Sequence, residues 1–301
     1  MKNLRQFLFI AICMTVVLTG GCGKKDAKEA DTSSNTSSAE AITETTDGST
    51  DAAVTEEEPG KEAASVPETE QEPVEILVAA AASLQNSMEE LGKLYQSANP
   101  GTTVTFTFGS SGTLQEQIEQ GAPADVFMSA ALKQMKVLEE KGLILNDTKI
   151  ELLENKVVLI VPKDSALDIK GFDDILMAPT IALGDPESVP VGQYSEEIFT
   201  SLNMLDDVKK QANYAKDVTE VLTWVSTGNA EAGVVYATDA MSSKDVTVVA
   251  EAPEGSTSKV LYPVAVVKDT KEEEAAKAFV DYLASKEALA VFEKYGFTPN
   301  K

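Results

Sequence analysis

No histidine occurs anywhere in the 301 residues. That absence removes Ser-His-Asp and Cys-His catalysis, along with every metal site that relies on imidazole. Cysteine is nearly missing as well: Cys13 and Cys22 both sit near the N-terminus. The body of the chain therefore has no disulfide, no cysteine metal site and no thiol nucleophile. Positive charge is scarce, with 25 Lys+Arg against 49 Asp+Glu and a net charge of −24. Such a balance argues against nucleic acid or an anionic lipid surface as partner, but leaves room for a small anion held locally. No internal repeat is visible, and nothing in the body reaches the length of a membrane span. What is present, 43% hydrophobic residues over this length, supplies a real core and more than one lobe.

The first 22 residues, MKNLRQFLFIAICMTVVLTGGC, read as a secretory signal. Lys2 and Arg5 form a basic start, and Phe7 to Leu18 an apolar core too short for a membrane span. Thr19, Gly20 and Gly21 then lead into Cys22. The arrangement resembles a bacterial lipoprotein signal, in which the cysteine is lipidated and becomes the first residue. Thr19 departs from that pattern, since a bulky aliphatic residue usually stands there. The alternative is an ordinary cleaved signal. Residues 23 to 72 are rich in Ser, Thr, Ala and Glu, with 14 acidic residues and 4 lysines. A segment of that composition cannot bury enough surface to offset chain entropy, so it reads as a disordered tether. As a flexible coil it spans roughly 40 Å. With the signal and the tether set aside, −16 remains on residues 73 to 301.

From Pro73 onward, short apolar runs such as EILVAAA and KVVLIVP alternate with helix-like segments such as SLQNSMEELGKLYQSA. The alternation predicts an α/β fold with mainly parallel sheets flanked by helices.

Two stretches share one layout. In VEILVAAAASLQNSMEELGKLY (74–95) and FTFGSSGTLQEQI (106–118), a strand ends in small residues and a serine, and a helix follows. Ligands of open α/β sheets sit beyond the C-terminal ends of strands, where helix N-termini present unpaired N–H groups. Ser83 at such a place either caps the helix or gives its O–H to an anion. In the second stretch Thr113 followed by Glu116 fits a capping box, which leaves Ser110 and Ser111 free. The alternative for that turn is flexibility alone. GSSGTL lacks the lysine of a phosphate P-loop. Val191 precedes a helix after a proline-rich turn, and Asp217 with Glu220 makes a second capping box that places Val218 at the first helical position. Tyr236 ends a strand. Capping and loop chemistry explain each of these singly; together they supply neutral donors.

AAASL around Ser83, FGSSGTL (108–114) and QIEQGAPADVFMSA resemble the first half of the molybdate-binding protein of bacterial ABC transporters. GDPESVPVG (184–192), KDV (216–218), AGVVYATDA (232–240), YPVAVV (262–267) and YGF (295–297) resemble the second half. The likeness runs over residues 74 to 298 in family order. It implies an α/β two-lobe fold of the periplasmic binding protein kind (type II-like), with the ligand in the interlobe cleft. On that fold lobe 1 is expected over 73–155 and 263–301, lobe 2 over 156–262, and the C-terminal helices on the first lobe. It implies a receptor, not an enzyme, that closes its two lobes on a tetrahedral oxyanion and delivers it to a permease driven by an ATPase. Molybdate, and tungstate with it, would be transported ligand; no cofactor and no direct metal ligand is implied. The oxyanion set carried over is Ser83 and Ser111 through hydroxyl and backbone N–H, Val191 and Val218 through backbone N–H, and Tyr236 through its phenol. Val191 stands where some relatives have alanine, and Gly112 where another serine can occur. The implied protein is a monomer, lipid-anchored through Cys22 to the outer face of the cytoplasmic membrane.

Other readings stay open. One is the same fold tuned to sulfate or another tetrahedral oxyanion. A sensor or adhesin on this fold is a second. A serine hydrolase is a third, opposed by the missing histidine and by the lack of a G-x-S-x-G elbow.

Overall fold

In the computed structural model, residues 73–301 are described; the signal, Cys22 and the tether lie outside them. The chain starts with β1 (Val74–Ala81), whose last four residues are all buried, and turns through Ala82–Leu84 into α1 (Gln85–Ala98). Met88, Leu91 and Tyr95 recur on one face of α1 and seat it on the sheet. Then come β2 (Thr102–Gly109), α2 (Ser111–Glu119), β3 (Val126–Met128), α3 (Leu132–Glu140) and β4 (Ile150–Asn155). At Lys156 the chain passes to a second sheet and forms β5 (Val157–Pro162), β6 (Ile181–Gly184), α4 (Pro190–Ser201), α5 (Leu205–Gln211) and β7 (Ala212–Ala215). It continues through α6 (Val218–Ser226), β8 (Ala232–Tyr236), α7 (Ala237–Met241) and β9 (Val246–Glu251). It then returns to the first sheet as β10 (Val260–Val266), followed by α8 (Glu273–Leu283), α9 (Lys286–Lys294) and β11 (Thr298–Pro299).

The strand orders are β11-β4-β10-β3-β1-β2 and β7-β6-β8-β5-β9. Each sheet holds one parallel trio: β2-β1-β3 in the first and β7-β6-β8 in the second. All other named pairings are antiparallel. The sheets are therefore mixed, where the sequence reading expected them mainly parallel. The antiparallel part arises because the chain leaves one sheet and re-enters it: β5 and β10, the strands that follow each crossing, run against the trios. The second boundary also shifts. Val260 already pairs with Asn155, so Val260–Tyr262 belongs to the first sheet and the return falls before 262/263. A bulge between Tyr262 and Pro263 keeps proline inside this strand, where a proline otherwise reads as an edge.

The same topological device appears twice. Within each trio the first strand lies between the second and the third, which makes a switch point at the C-terminal strand ends. Behind these ends a run of rings crosses between the lobes. Centroids lie 6.4 Å apart for Tyr194–Tyr236, 5.8 Å for Tyr236–Tyr262 and 5.3 Å for Tyr262–Phe297. Edge-to-face rings of this kind give a packed, non-sliding back wall. The helices α8 and α9 pack on α1, and Tyr95 meets Phe279 at 5.0 Å. Among the described residues no helix is long and apolar enough to cross a membrane.

Candidate functional site

Ser110 opens the site. Its extended backbone (φ −66°, ψ 143°) makes it the N-cap of α2, and its hydroxyl accepts the Thr113 N–H at 3.2 Å. Thr113, the cap expected from sequence, is instead the third helical residue, because Ser110, three positions before it, already accepts its N–H. Ser111 is thus the first helical residue, where no intrahelical carbonyl meets its N–H. Its side chain is fully buried, and its Oγ accepts the Ala130 N–H at 2.9 Å. Ser83 lies in the turn after β1, caps nothing, and sits with its Oγ 3.0 Å from the Tyr262 hydroxyl.

The second lobe contributes in the same manner. Gly192 in the first turn of α4 leaves room for the Gly184 carbonyl, which would stand 2.1 Å from any Cβ there. The absent side chain lets α4 settle on the end of β6 and puts the Val191 N–H in the first, unpaired turn. Asp217 caps α6 by accepting from the Glu220 N–H at 2.9 Å, while Glu220 accepts from the Lys216 N–H at 2.9 Å. Val218 follows as the first helical residue. Tyr236 ends β8 with 1% of its surface exposed, and its hydroxyl has no hydrogen-bond partner.

One cavity between the lobes is lined by Ser83, Ser111, Val191, Val218 and Tyr236 together, along with Ala81, Ala82, Gly109, Ser110, Ala130, Val189, Pro190 and Asp217. All five residues singled out in the sequence meet there. About 10 Å³ of it is open to the centre of a water-sized sphere, the scale of one small species and far below the pocket of an organic solute. No lysine or arginine lines it. Burial pushes the Tyr236 phenol well above its ordinary value, so it keeps its proton and donates. Beneath it lies Asp239, whose carboxyl burial raises to about 7. Asp217 spends its charge on a helix N-terminus. The cavity thus offers neutral donors, and the nearby ionisable groups are acidic. Among the described residues no group of His, Cys, Asp and Glu could hold a metal ion.

The lobes touch directly at the rim. The Gly112 N–H donates to the Ser188 carbonyl at 2.9 Å, and Gln134 Nε2 donates to Gln193 Oε1 at 3.2 Å. At the crossing, Asn155 Nδ2 donates to Thr238 Oγ1 at 2.9 Å and to the Tyr262 hydroxyl at 3.2 Å.

A two-lobed α/β frame with a small donor-lined cleft is the form of an extracytoplasmic solute receptor. The family model described as bacterial extracellular solute-binding protein matches residues 76–298. The chain belongs to that family. This solute-binding protein is 47% identical over 225 residues to YvgL, a candidate ABC transporter substrate-binding lipoprotein of Bacillus subtilis, covering 75% of this chain and 86% of that one. It is 41% identical over 228 residues to the molybdate-binding protein ModA of Haemophilus influenzae, covering 74% and 89%. Among solved structures, the substrate-binding domain of a candidate molybdenum ABC transporter from Clostridium difficile aligns with a TM-score of 0.60 at 41% identity, covering 76% of this chain and all of that one. These relatives are transport proteins.

The sequence reading missed the groups that hold the site's hydroxyls in place: the Ala130 N–H on Ser111, and Tyr262 with Asn155 behind Ser83. Tyr262 stood in a recognisable motif, YPVAVV, but nothing in its neighbours along the chain indicated which serine it would meet.

Proposed function

We propose that this protein is a receptor for molybdate, and for tungstate with it, that delivers the oxyanion to an ABC permease and its ATPase. Ser83, Ser111, Val191, Val218 and Tyr236 bind it. Cys22 carries the lipid that holds the receptor on the outer face of the cytoplasmic membrane, and the acidic segment 23–72 acts as its tether. The observation that carries this reading is the buried Tyr236 hydroxyl, which faces a small cavity without a partner. A buried donor left unpaired costs about 1–3 kcal/mol, so its presence argues for an acceptor that arrives. Seven donors are available from the five residues: two hydroxyls and a phenol, with the backbone N–H groups of Ser83, Ser111, Val191 and Val218. At roughly 1.5–3 kcal/mol for each bond to a charged acceptor, their gross sum exceeds the roughly 8 kcal/mol of micromolar binding before closure costs.

A cage of donors accepts an oxyanion without protons. Hydrogen phosphate brings a proton to a wall whose only lining carboxylate, Asp217, already accepts the Glu220 N–H. Molybdate is therefore expected to raise the melting temperature of the purified protein, and phosphate to leave it nearly unchanged. Competition among molybdate, tungstate, sulfate and phosphate ranks the anions. No shift with any of the four would end this reading, and a sulfate preference would reassign the cargo.

A further inference from the structure

We infer that Asn155 and Tyr262 are positioning residues that lock the Ser83 hydroxyl as a donor toward the cavity and so enforce rejection of protonated oxyanions. The inference rests on the oxyanion reading above and names the residues that set its selectivity.

The direction of each hydrogen bond in this chain is fixed from one end. The Lys156 N–H donates to Asn155 Oδ1 at 2.8 Å. A backbone N–H only donates, so this contact settles which end of the amide is oxygen. Asn155 Nδ2 carries two hydrogens and no lone pair for acceptance. One goes to Thr238 Oγ1 at 2.9 Å and the other to the Tyr262 oxygen at 3.2 Å. The Tyr262 hydroxyl is then an acceptor on its Asn155 side. Tyr262 is fully buried, and its remaining side-chain partner is Ser83 Oγ at 3.0 Å. Were Ser83 to donate to Tyr262, the phenol proton would be left buried without an acceptor, the costly arrangement. The phenol proton therefore points to Ser83 Oγ. Ser83 accepts from Tyr262, and its own proton is left for the cavity.

Ser111 is treated alike, since its Oγ accepts the Ala130 N–H at 2.9 Å. Both serines of the first lobe thus have a lone pair engaged by a protein donor. A hydroxyl is by nature ambivalent and serves an acceptor or a donor with equal ease. Here the balance is tilted toward donation, because one of the two lone pairs is engaged by the protein: for Ser83 by Tyr262, backed by Asn155, neither of which lines the cavity, and for Ser111 by Ala130, which does.

Tyr262→Phe tests this. It keeps the ring against Tyr236 and Phe297 but removes the proton that engages Ser83. Ser83 Oγ then has both lone pairs free to accept. In the full-length protein near neutral pH, molybdate affinity is expected to fall by about tenfold, a factor worth 1.4 kcal/mol. Affinity for inorganic phosphate is expected to rise. A purely structural defect weakens both anions by the same factor, and that outcome would overturn the relay. A second measurement is a double-mutant cycle. In a Ser83→Ala background, Tyr262→Phe is expected to change molybdate affinity by less than about twofold; fully additive losses overturn the inference. Asn155→Ala, which removes the upstream donor, should shift the molybdate-to-phosphate ratio the same way, and an unchanged ratio counts against it. Wild-type protein that binds no molybdate overturns the oxyanion reading itself; wild-type binding with additive variants overturns the relay alone.

Discussion

Removing the Ser111 hydroxyl takes away more than a ligand contact, because its oxygen also accepts the buried Ala130 N–H. Ser111→Ala leaves that N–H without a partner inside the protein, at about 1–3 kcal/mol. The variant is expected to lose oxyanion affinity and to melt roughly 2–8 °C lower in the absence of ligand. Ser83 is half-buried, and its hydroxyl accepts the proton of the buried Tyr262. Ser83→Ala strands that proton, so it too is expected to lose affinity and to melt lower by a few degrees. Titration calorimetry with thermal melts checks both variants, and an unchanged melting temperature for either would contradict the bonding of that serine. Of the site, the residues that end strands and begin helices were legible in the sequence, because strand ends and caps leave local signals. Tyr262 and Asn155 left none. They meet Ser83 only because β10 and β4 lie side by side, with Val260 opposite Asn155.

At the scale of elements, the approach of α2 to the loop before α4 depends on a missing side chain. A Cβ on Gly112 would stand 2.4 Å from the Ser188 carbonyl oxygen and 2.8 Å from its Cα, both backbone atoms that cannot rotate aside. Gly112→Ala is expected to hold the lobes apart without unfolding either. Its ligand-bound radius of gyration in solution scattering should stay near the unliganded value, and affinity should fall by about tenfold or more. Full compaction with molybdate would show that the rim tolerates the methyl. The alternation of strands and helices was legible, and with it the α/β class. The strands IELLEN (β4) and ANYA (β7) were not. Glu151, Glu154 and Asn155 break the apolar run of the first, and the second is a four-residue edge strand. Both are strands because of what they pair with, which is a property of the sheet and not of the segment. The two parallel trios share strand order without any repeat visible in the sequence, so the duplication lives in topology alone.

For the whole molecule, the decisive quantity is a −16 body that receives an anion in a cavity with no lysine or arginine. Long-range repulsion slows the encounter, and salt screens it. The association rate is expected to rise roughly two- to fivefold between low and physiological ionic strength, as followed by the fluorescence of the single tryptophan, Trp224. A site lined with lysines would give the opposite slope, and a falling rate would mean that the acidic surface is not felt at the cleft. The unpartnered Tyr236 hydroxyl has one more consequence. A water molecule that entered the closed cleft would bring two lone pairs to a wall of donors, whereas an oxyanion brings four oxygens. Closing over water strands most of those donors, each at about 1–3 kcal/mol. The shut conformation is therefore self-certifying: a transporter that responds to closure alone meets few unloaded receptors, and ATP turnover stays tied to cargo without any separate check on the occupant.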